Sequence, residues 1–332
     1  MKKLLFFMLL ISTSIFLQSQ DTFSIIALDT ITGEIGGAGA SCIDDNAIAG
    51  GVLIINDIIP GRGGIHTQAY WRPQNQQNAH DRMVEGMSPQ EIIDWLIEND
   101  VQNYPAIRQY GIVDFDSDGH PRSAAFTGSQ CDDYKNHIIG PNYAIQGNIL
   151  LGQQILDSME MRFLNTEGML AEKLMAALQG ANVPGADTRC MGEGVSSLSA
   201  FVRVAQTSDT MGTYFCDLVV PETPYGIEPI DSLQVLFDNW LISLDQTETP
   251  ANSEAFIMSP NPLQRGNKLR IDIAAQDIER ILVFDQSGRA LIRMEVHRDR
   301  LFVDTSDLQS GVYVVQVFAK DGKTASKKLI IK

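Results

Sequence analysis

The sequence predicts an α+β body in which two antiparallel β-sheets pack face to face with helices outside, followed by a small all-β sandwich. Three observations carry this expectation. Strand-like segments of the body come in pairs joined by short turns, which argues against a doubly wound parallel sheet. Helical periodicity returns between those pairs rather than between single strands. Beyond residue 259 only short alternating strands and turns remain, the pattern of a sandwich. A length of 332 residues allows two globular units, and 44% hydrophobic content is ordinary for a chain that buries a core.

Residues 1–19 read MKKLLFFMLLISTSIFLQS: two lysines, an apolar stretch, then small and polar residues. This is the pattern of a secretory signal peptide cut after Ser19, and no membrane span is expected in the mature protein. Residues 22–29 and 35–42 are strand-like and flank Thr30-Ile31-Thr32-Gly33-Glu34, a hairpin loop with glycine where a positive φ is wanted. Residues 47–66 hold two apolar, β-branched segments that separate near Asn56-Asp57. Ser88-Pro89-Gln90-Glu91 then forms a capping box with proline at the first helical position, and Ile92, Ile93, Leu96 and Ile97 follow on one stripe. Strands at 107–115 and 121–127 are joined by Asp116-Ser117-Asp118-Gly119. Helices are expected over 149–164 and 167–179, the second stopped by Gly180. Strands at 196–206 and 212–220 lead to a helix at 231–244. The body is therefore 20–245, and the polar, proline-bearing stretch 246–258 is a linker. The tail, 259–332, turns at Gln286-Ser287-Gly288 and Asp321-Gly322.

Charge is unevenly spread. Residues 20–258 contain 10 Lys+Arg against 32 Asp+Glu, whereas residues 259–332 contain 13 against 9. So acidic a body repels phosphate backbones, so no nucleic-acid partner is expected. All four cysteines, Cys42, Cys131, Cys190 and Cys216, lie in the body. An even count in an oxidising compartment favours two disulfides out of three possible connectivities. The favoured set joins Cys190 to Cys216, which flank one hairpin, and by exclusion Cys42 to Cys131. No CxxC spacing suggests zinc. Asp114-Phe115-Asp116-Ser117-Asp118-Gly119 matches the first half of a calcium loop, but its twelfth position is Ala125 where a bidentate glutamate is required. Neither a metal nor a cofactor is expected, and no GxSxG, HExxH or P-loop is present.

Two resemblances narrow the reading. The tail, with Asn261-Pro262, Gly311-Val312-Tyr313, Gly322 and Lys327-Lys328-Leu329-Ile330-Ile331, resembles the type A C-terminal sorting domain of type IX secretion. That resemblance implies export, the secretion machinery as a partner, and a secreted or surface-attached product. In the body, Thr22-Phe23-Ser24-Ile25, Asp29, Thr32-Gly33-Glu34, Thr67-Gln68, Gly111-Ile112-Val113-Asp114, Ala124-Ala125-Phe126-Thr127-Gly128 and Tyr143-Ala144-Ile145-Gln146-Gly147-Asn148-Ile149-Leu150 occur in that order. They resemble the domain of unknown function 1028 family. This family is grouped with the N-terminal-nucleophile hydrolases, which implies a four-layer αββα sandwich.

In such hydrolases the first residue of the mature chain uses its own α-amine as the base that activates its hydroxyl or thiol against an amide carbonyl. The resemblance makes Thr22 the candidate nucleophile, although cleavage after Ser19 leaves Gln20-Asp21 in front of it. Asn148 and Gln146, at an expected strand-to-helix junction, offer amides to an oxyanion or a polar substrate, while Asn148 is equally suited to cap the helix. His66, Thr67 and Gln68 end a glycine-rich strand and line the same cleft. The expected activity is cleavage of an amide in a small molecule, peptide or cell-wall fragment. The alternative is a non-catalytic ligand-binding module of the same fold.

Overall fold

Antiparallel pairing of short strands dominates the computed structural model, which describes residues 22–245, 256–273, 278–285, 290–296, 300–320 and 324–332. The expected signal peptide, residues 246–255 of the linker and the turns at 286–288 and 321–322 lie outside the described residues. Two compact units divide between Leu233 and Gln234.

In the first unit, β1 (Thr22–Leu28) and β2 (Ile35–Ser41) make the expected hairpin, with Thr22 opposite Ser41. Gly33 takes φ 76° in its loop, a conformation glycine enters without a Cβ penalty. Four further strands join this hairpin: β7 (Asn136–Ile139), β8 (Tyr143–Gly147), β9 (Ser199–Ala205) and β10 (Cys216–Val220). They form one antiparallel sheet in the order β10-β9-β2-β1-β8-β7. A second sheet, β3-β4-β5-β6, is made of Asn56–Ile59, Gly63–Gln68, Gln109–Phe115 and Pro121–Thr127. The sheets face each other through β1, β8, β4 and β5. Helices α1 (Pro73–Val84) and α2 (Pro89–Glu98) lie against the four-stranded sheet, and α3 (Gln153–Asn165) and α4 (Leu170–Gly180) against the six-stranded one. Helix α5 (Pro229–Asp245) follows β10 and buries Ile230, Leu233 and Phe237.

Local chemistry explains which elements were anticipated. The capping box of α2 forms, with Ser88 N donating to Glu91 Oε2 at 2.8 Å and Ser88 Oγ accepting from Glu91 N at 3.4 Å. Helix α1 was not expected. Its sequence, PQNQQNAHDRMV, buries only Asn75, Ala79 and Met83, too thin an apolar stripe to register as periodicity. The β7–β8 hairpin was also not read, because β7 is four residues long and half-exposed. Within 47–66 the expected break at Asn56-Asp57 is corrected. Those residues begin β3, Gly51–Ile55 form a 3-10 turn, and the chain reverses at Pro60-Gly61-Arg62. Arg62 holds that reversal in place, donating to Met83 O and Met87 O at 3.2 and 3.1 Å and pairing with Asp114 at 2.8 Å. Helix α3 starts at Gln153 rather than at 149, after a loop in which Ile149 takes φ 51°.

Alternation along each strand sorts the core. Ile26, Leu28, Ile35, Ile58, Val113, Ala144 and Ala205 fill one half of the space between the sheets. Ile65, Met83, Ile92, Leu96, Tyr110 and Ile112 pack the four-stranded sheet onto its helices.

The second unit is the expected sandwich. β11 (Phe256–Ser259), β12 (Lys268–Ile273) and β15 (Arg300–Asp304) form one sheet. β14 (Ala290–Glu295), β13 (Ile278–Phe284), β16 (Gly311–Ala319) and β17 (Thr324–Ile331) form the other. Phe256, Leu269, Ile271, Val283, Val303, Val315 and Leu329 share its core. Asn261 ties the opening of this unit to its last strand: its Nδ2 donates to Lys328 O at 2.6 Å, and its Oδ1 accepts from Ile330 N at 3.0 Å.

The expected disulfide pairing is overturned. Cys42, one residue past β2, bonds to Cys190 with a Cα–Cα distance of 5.8 Å, leaving Cys131 and Cys216 as buried thiols. Cys216 faces Val204 in the β9–β10 register, so a cysteine nine residues before β9 is out of its reach. Cys190 sits instead in the 3-10 turn Thr188–Glu193, whose leading residue Asp187 accepts from Cys42 N at 2.8 Å. Closing a loop of 148 residues removes about 5 kcal/mol of unfolded-state entropy on the chain-closure estimate. Burial pushes the Cys131 thiol up to about 11 and that of Cys216 to about 12, so neither is a nucleophile near neutrality. Non-reducing peptide mass spectrometry of the exported protein should therefore return one Cys42–Cys190 cross-link and two thiols that alkylate only after unfolding. A Cys131 or Cys216 cross-link would contradict this arrangement.

Candidate functional site

The inter-sheet faces that are apolar at one end become polar at the other. On β1 the face bearing Ile26 and Leu28 continues to Ser24 and Thr22; on β8 the face of Ala144 continues to Gln146 and then Asn148. Across the gap stand His66 and Gln68 of β4, Gln109 of β5 and Asn56 of β3. Register brings them into pairs: Ser24 opposite Gln146, Asn56 opposite His66, and Gln68 opposite Gln109. All of these side chains are buried. Two glycines make room for them. A Cβ at Gly37 would come within 2.4 Å of His66 Nε2, and one at Gly111 within 2.0 Å of Gln146 Oε1.

The groups form one continuous chain. Gln146 Nε2 donates to Ser24 Oγ at 2.6 Å, and Ser24 Oγ donates to Gln68 Oε1 at 2.6 Å. Gln68 Nε2 donates to Thr22 O at 3.1 Å and to Gln109 Oε1 at 2.7 Å. Gln109 Nε2 reaches Gly147 O at 2.9 Å, Asn136 O at 3.1 Å and Thr127 Oγ1 at 2.9 Å. Thr22 ends this chain, gripped on both sides of its backbone. Its N–H donates to Asn148 Oδ1 at 3.3 Å, and its carbonyl accepts from Asn148 N at 3.2 Å.

Of the residues picked from sequence, Thr22, His66, Gln68, Gln146 and Asn148 therefore converge. Thr67 does not. Alternation along β4 puts it on the helix-bearing face with Ile65, where its Oγ1 is buried without a partner. Asn148 does not cap α3, whose leading residue is Gly152. Ser24, Asn56 and Gln109 were missed. Ser24 was within reach of sequence reasoning, because a period of two places it on the face of Thr22. Asn56 and Gln109 became neighbours of the others only through sheet-to-sheet packing. Asp187 is a further buried group beside this end of the sheet. It accepts from Arg189 Nη2 at 2.7 Å and bridges to Leu150, two residues beyond Asn148.

The aspartates of the calcium-like run have different surroundings: the ligand atoms of Asp116, Asp118 and His120 lie within 4.8 Å of one another in the hairpin turn. Buried Asp114 pairs with Arg62 and Arg122 at 2.8 and 2.6 Å, and Asp116 Oδ1 accepts from Asp118 N and His120 N within the hairpin turn. The first position of a calcium loop is thereby occupied by guanidinium groups.

Desolvation pushes the imidazole of His66 down to about 3, so the ring is neutral. A neutral ring carries one N–H and one lone pair. Asn56 Nδ2 lies 2.9 Å from its Nε2 and Gln146 Nε2 lies 3.4 Å from its Nδ1, while Asn56 Oδ1 is buried without a partner. Exchanging the two ends of the Asn56 carboxamide lets Oδ1 accept from Nε2–H while Nδ1 accepts from Gln146. That arrangement makes His66 an Nε2–H tautomer that holds polar groups and does not act as a base. Nitrogen-15 NMR at about pH 5 should show this ring neutral, although a free imidazole is protonated there. Because the unfolded ring takes up its proton first, the His66 contribution to stability is full above about pH 6.5 and declines as pH falls toward 3. A protonated His66 signal in the folded protein at that pH would refute the assignment.

Comparison with known proteins follows the division into units. Residues 258–332 match the secretion system C-terminal sorting domain. No helix among the described residues is long and apolar enough to cross a membrane. The tail thus implies secretion or display at the cell surface and contact with the type IX machinery. Among curated proteins no match to this chain was found. Among solved structures, protein SPO2555 from Silicibacter pomeroyi is 24% identical over 66% of this chain and 88% of its own, with a TM-score of 0.51, and it shares the fold. The Bacteroides ovatus mixed-linkage glucan utilization locus protein SGBP-B, at 9% identity over 68% of this chain and 52% of its own, has a TM-score of 0.19 and carries no argument. Residues 22–230 match the family of unknown function DUF1028, and the chain belongs to that family.

Proposed function

We propose that the exported body is a four-layer αββα hydrolase of the N-terminal-nucleophile kind, acting on an amide in a small molecule, peptide or cell-wall fragment. The observation that supports this most is the grip on Thr22: a hydroxyl residue at the start of a central strand, with Asn148 Oδ1 on its backbone nitrogen. Once Gln20 and Asp21 are trimmed away, that nitrogen is an α-amine, which titrates near neutrality at about 7.7–8.0. It takes the proton of the Thr22 hydroxyl as the oxygen attacks the amide carbonyl. The C–N bond then breaks, the leaving nitrogen collects the proton, and water hydrolyses the resulting ester with the same amine as base. In this reading Asn148 holds the amine, while Gln68 and Gln146 fix the carbonyl and the strand beneath it. The signal peptide brings the chain to the periplasm and the tail carries it out.

A second reading keeps Gln20-Asp21 in place and uses the same end of the sandwich only to hold a ligand. In the untrimmed chain Thr22 N is a peptide N–H donor to Asn148, so the observed contact is compatible with it.

Edman sequencing of the secreted protein separates the two. A chain beginning at Thr22 supports hydrolysis, whereas Gln20, Asp21 or a blocked pyroglutamate excludes it. In a trimmed protein, Thr22→Ala should abolish labelling by an electrophilic amide or lactone probe and Thr22→Ser should retain part of it. With its Nδ2 donating to the oxyanion, Asn148→Ala should lower turnover by roughly 100–1,000-fold, the range for loss of one oxyanion-hole donor. Deleting residues 259–332 should leave the body in the periplasm, and normal export of the truncated chain would disprove the role of the tail.

A further inference from the structure

Beyond the ends of β4 and β5, on the edge where Gln68 meets Gln109, lies a cleft of about 600 Å³ lined by Tyr70, Gln102, Asn103, Tyr104, Ile107 and Gln130. Its lining has a distinct chemistry: two phenol rings, three carboxamides, one aliphatic side chain and no charged residue. We infer that this cleft is a binding site for a neutral saccharide, with the tyrosine rings receiving the C–H faces of a sugar and the carboxamides meeting its hydroxyls.

The walls of the cleft are built from the interior outward. Arg108 is buried and pairs with buried Asp100, Nε to Oδ2 at 2.7 Å. Burial raises the Asp100 carboxyl, but hydrogen bonds from Arg108, Tyr104 N, Asn75 and Gln102 N outweigh it and hold the group down at about 2. The same guanidinium donates to Tyr70 O and, at 2.8 Å, to Gln102 Oε1, fixing two opposite parts of the lining. The third wall is strapped to this frame by Gly128 N on Arg108 O and Gln130 N on Ala106 O, both at 2.8 Å. Tyr70 and Asn103 are held at φ 51° and 54°, a left-handed conformation that side chains other than glycine adopt at a cost. Rigid presentation of this kind lowers the ordering penalty of binding.

The polar complement suits hydroxyl groups. Gln102 Oε1 accepts from Arg72 and Arg108, which aims its NH₂ end as a donor. Tyr104 donates its hydroxyl to Gln130 Oε1, so the amide of Gln130 likewise presents its donor end, and Tyr104 keeps a large part of its ring exposed. Of the charged groups behind the lining, Arg108 is neutralised by Asp100, while Arg72 donates to Gln102 and Asp132 accepts from the Tyr70 hydroxyl at 3.1 Å. An ionic ligand finds no counter-charge in the lining, and a purely apolar one leaves the carboxamides unmatched. The volume lies in the range of ordinary small-ligand sites, and phenol rings offer an apolar face with a polar edge. This inference does not rest on the hydrolase reading, since it holds whether or not Thr22 becomes the N-terminus.

The test uses the full secreted chain and a panel of neutral mono- to tetrasaccharides of glucose, mannose, xylose, galactose and N-acetylglucosamine, with a galacturonic-acid tetramer as the charged comparison. Saturation-transfer NMR and titration calorimetry should find at least one neutral binder, weakened roughly ten-fold or more by Tyr104→Ala and by Gln130→Ala. Tyr104→Phe, which keeps the ring but releases Gln130, should bind more tightly than Tyr104→Ala and less tightly than the parent. Gln77→Ala, in a separate cleft beside His80, should change nothing. Circular dichroism melting shows whether each variant is folded. No neutral binding at about 10 mM ligand, binding that survives Tyr104→Ala, or preference for the acidic tetramer would each overturn the assignment. Binding retained by a protein whose N-terminus is Gln20 or Asp21 would support the cleft while excluding the hydrolase.

Discussion

Everything at the candidate site depends on one constraint: carboxamides buried between two sheets must find hydrogen-bond partners there. An unsatisfied buried amide costs more than its hydrogen bond returns, so the eight buried polar residues named at the site occupy this space as a connected set. Gln68 is the hub, accepting from Ser24 and donating to Thr22 O and Gln109. The set exists because Gly37 and Gly111 lack the Cβ atoms that would collide with it. The inter-sheet layer is thereby divided: the half around Ile26, Leu28 and Val113 supplies apolar burial, and the other half supplies orientation. A connected network of this kind restrains its members, although Gln146 Oε1 is buried in it without a partner among the described residues, and the first residue of β1 is held at its end.

The second layer of organisation lies just outside the sheets. Loops at residues 69–72, 100–107 and 128–132 are tied together by Arg108 and Asp100. A buried ion pair is a poor source of net stability, but removing one partner strands the other. Its value here is positional. Two loops distant in sequence are fixed to one guanidinium, so the shape of the cleft edge is set by the interior rather than by solvent-exposed backbone.

Much of this was legible in the sequence, and the gaps have physical causes. Hairpin strands showed themselves through two-residue alternation and turn chemistry, and α2 through a capping box whose partners are three residues apart. Such signals are local. Helix α1 escaped because its buried face is Asn75, Ala79 and Met83, and asparagine does not read as core until Asp100 and Tyr110 are seen to bond it. Thr22 was picked from a family resemblance, and His66, Gln68, Gln146 and Asn148 from their places at the ends of expected strands. The facing direction of Thr67 could have been deduced from alternation with His66. Cysteine pairing failed for a different reason. Proximity along the chain favoured Cys190 with Cys216, whereas the sheet order places β2 beside β9 and carries the end of β2 to the turn that holds Cys190. Non-local packing decides such contacts.

The Cys42–Cys190 bridge has a consequence for the life of the protein among extracellular proteases. The bond encloses β3 to β8 and α1 to α4 in a single covalent ring. A peptide bond cut anywhere inside that ring opens it without dividing the molecule, because both products remain joined through sulfur. Thr22 precedes the ring and the tail follows it, and the tail contains no cysteine. Removal of residues at either terminus can therefore proceed cleanly, while a nick in an exposed loop between Cys42 and Cys190 leaves its fragments tethered in place.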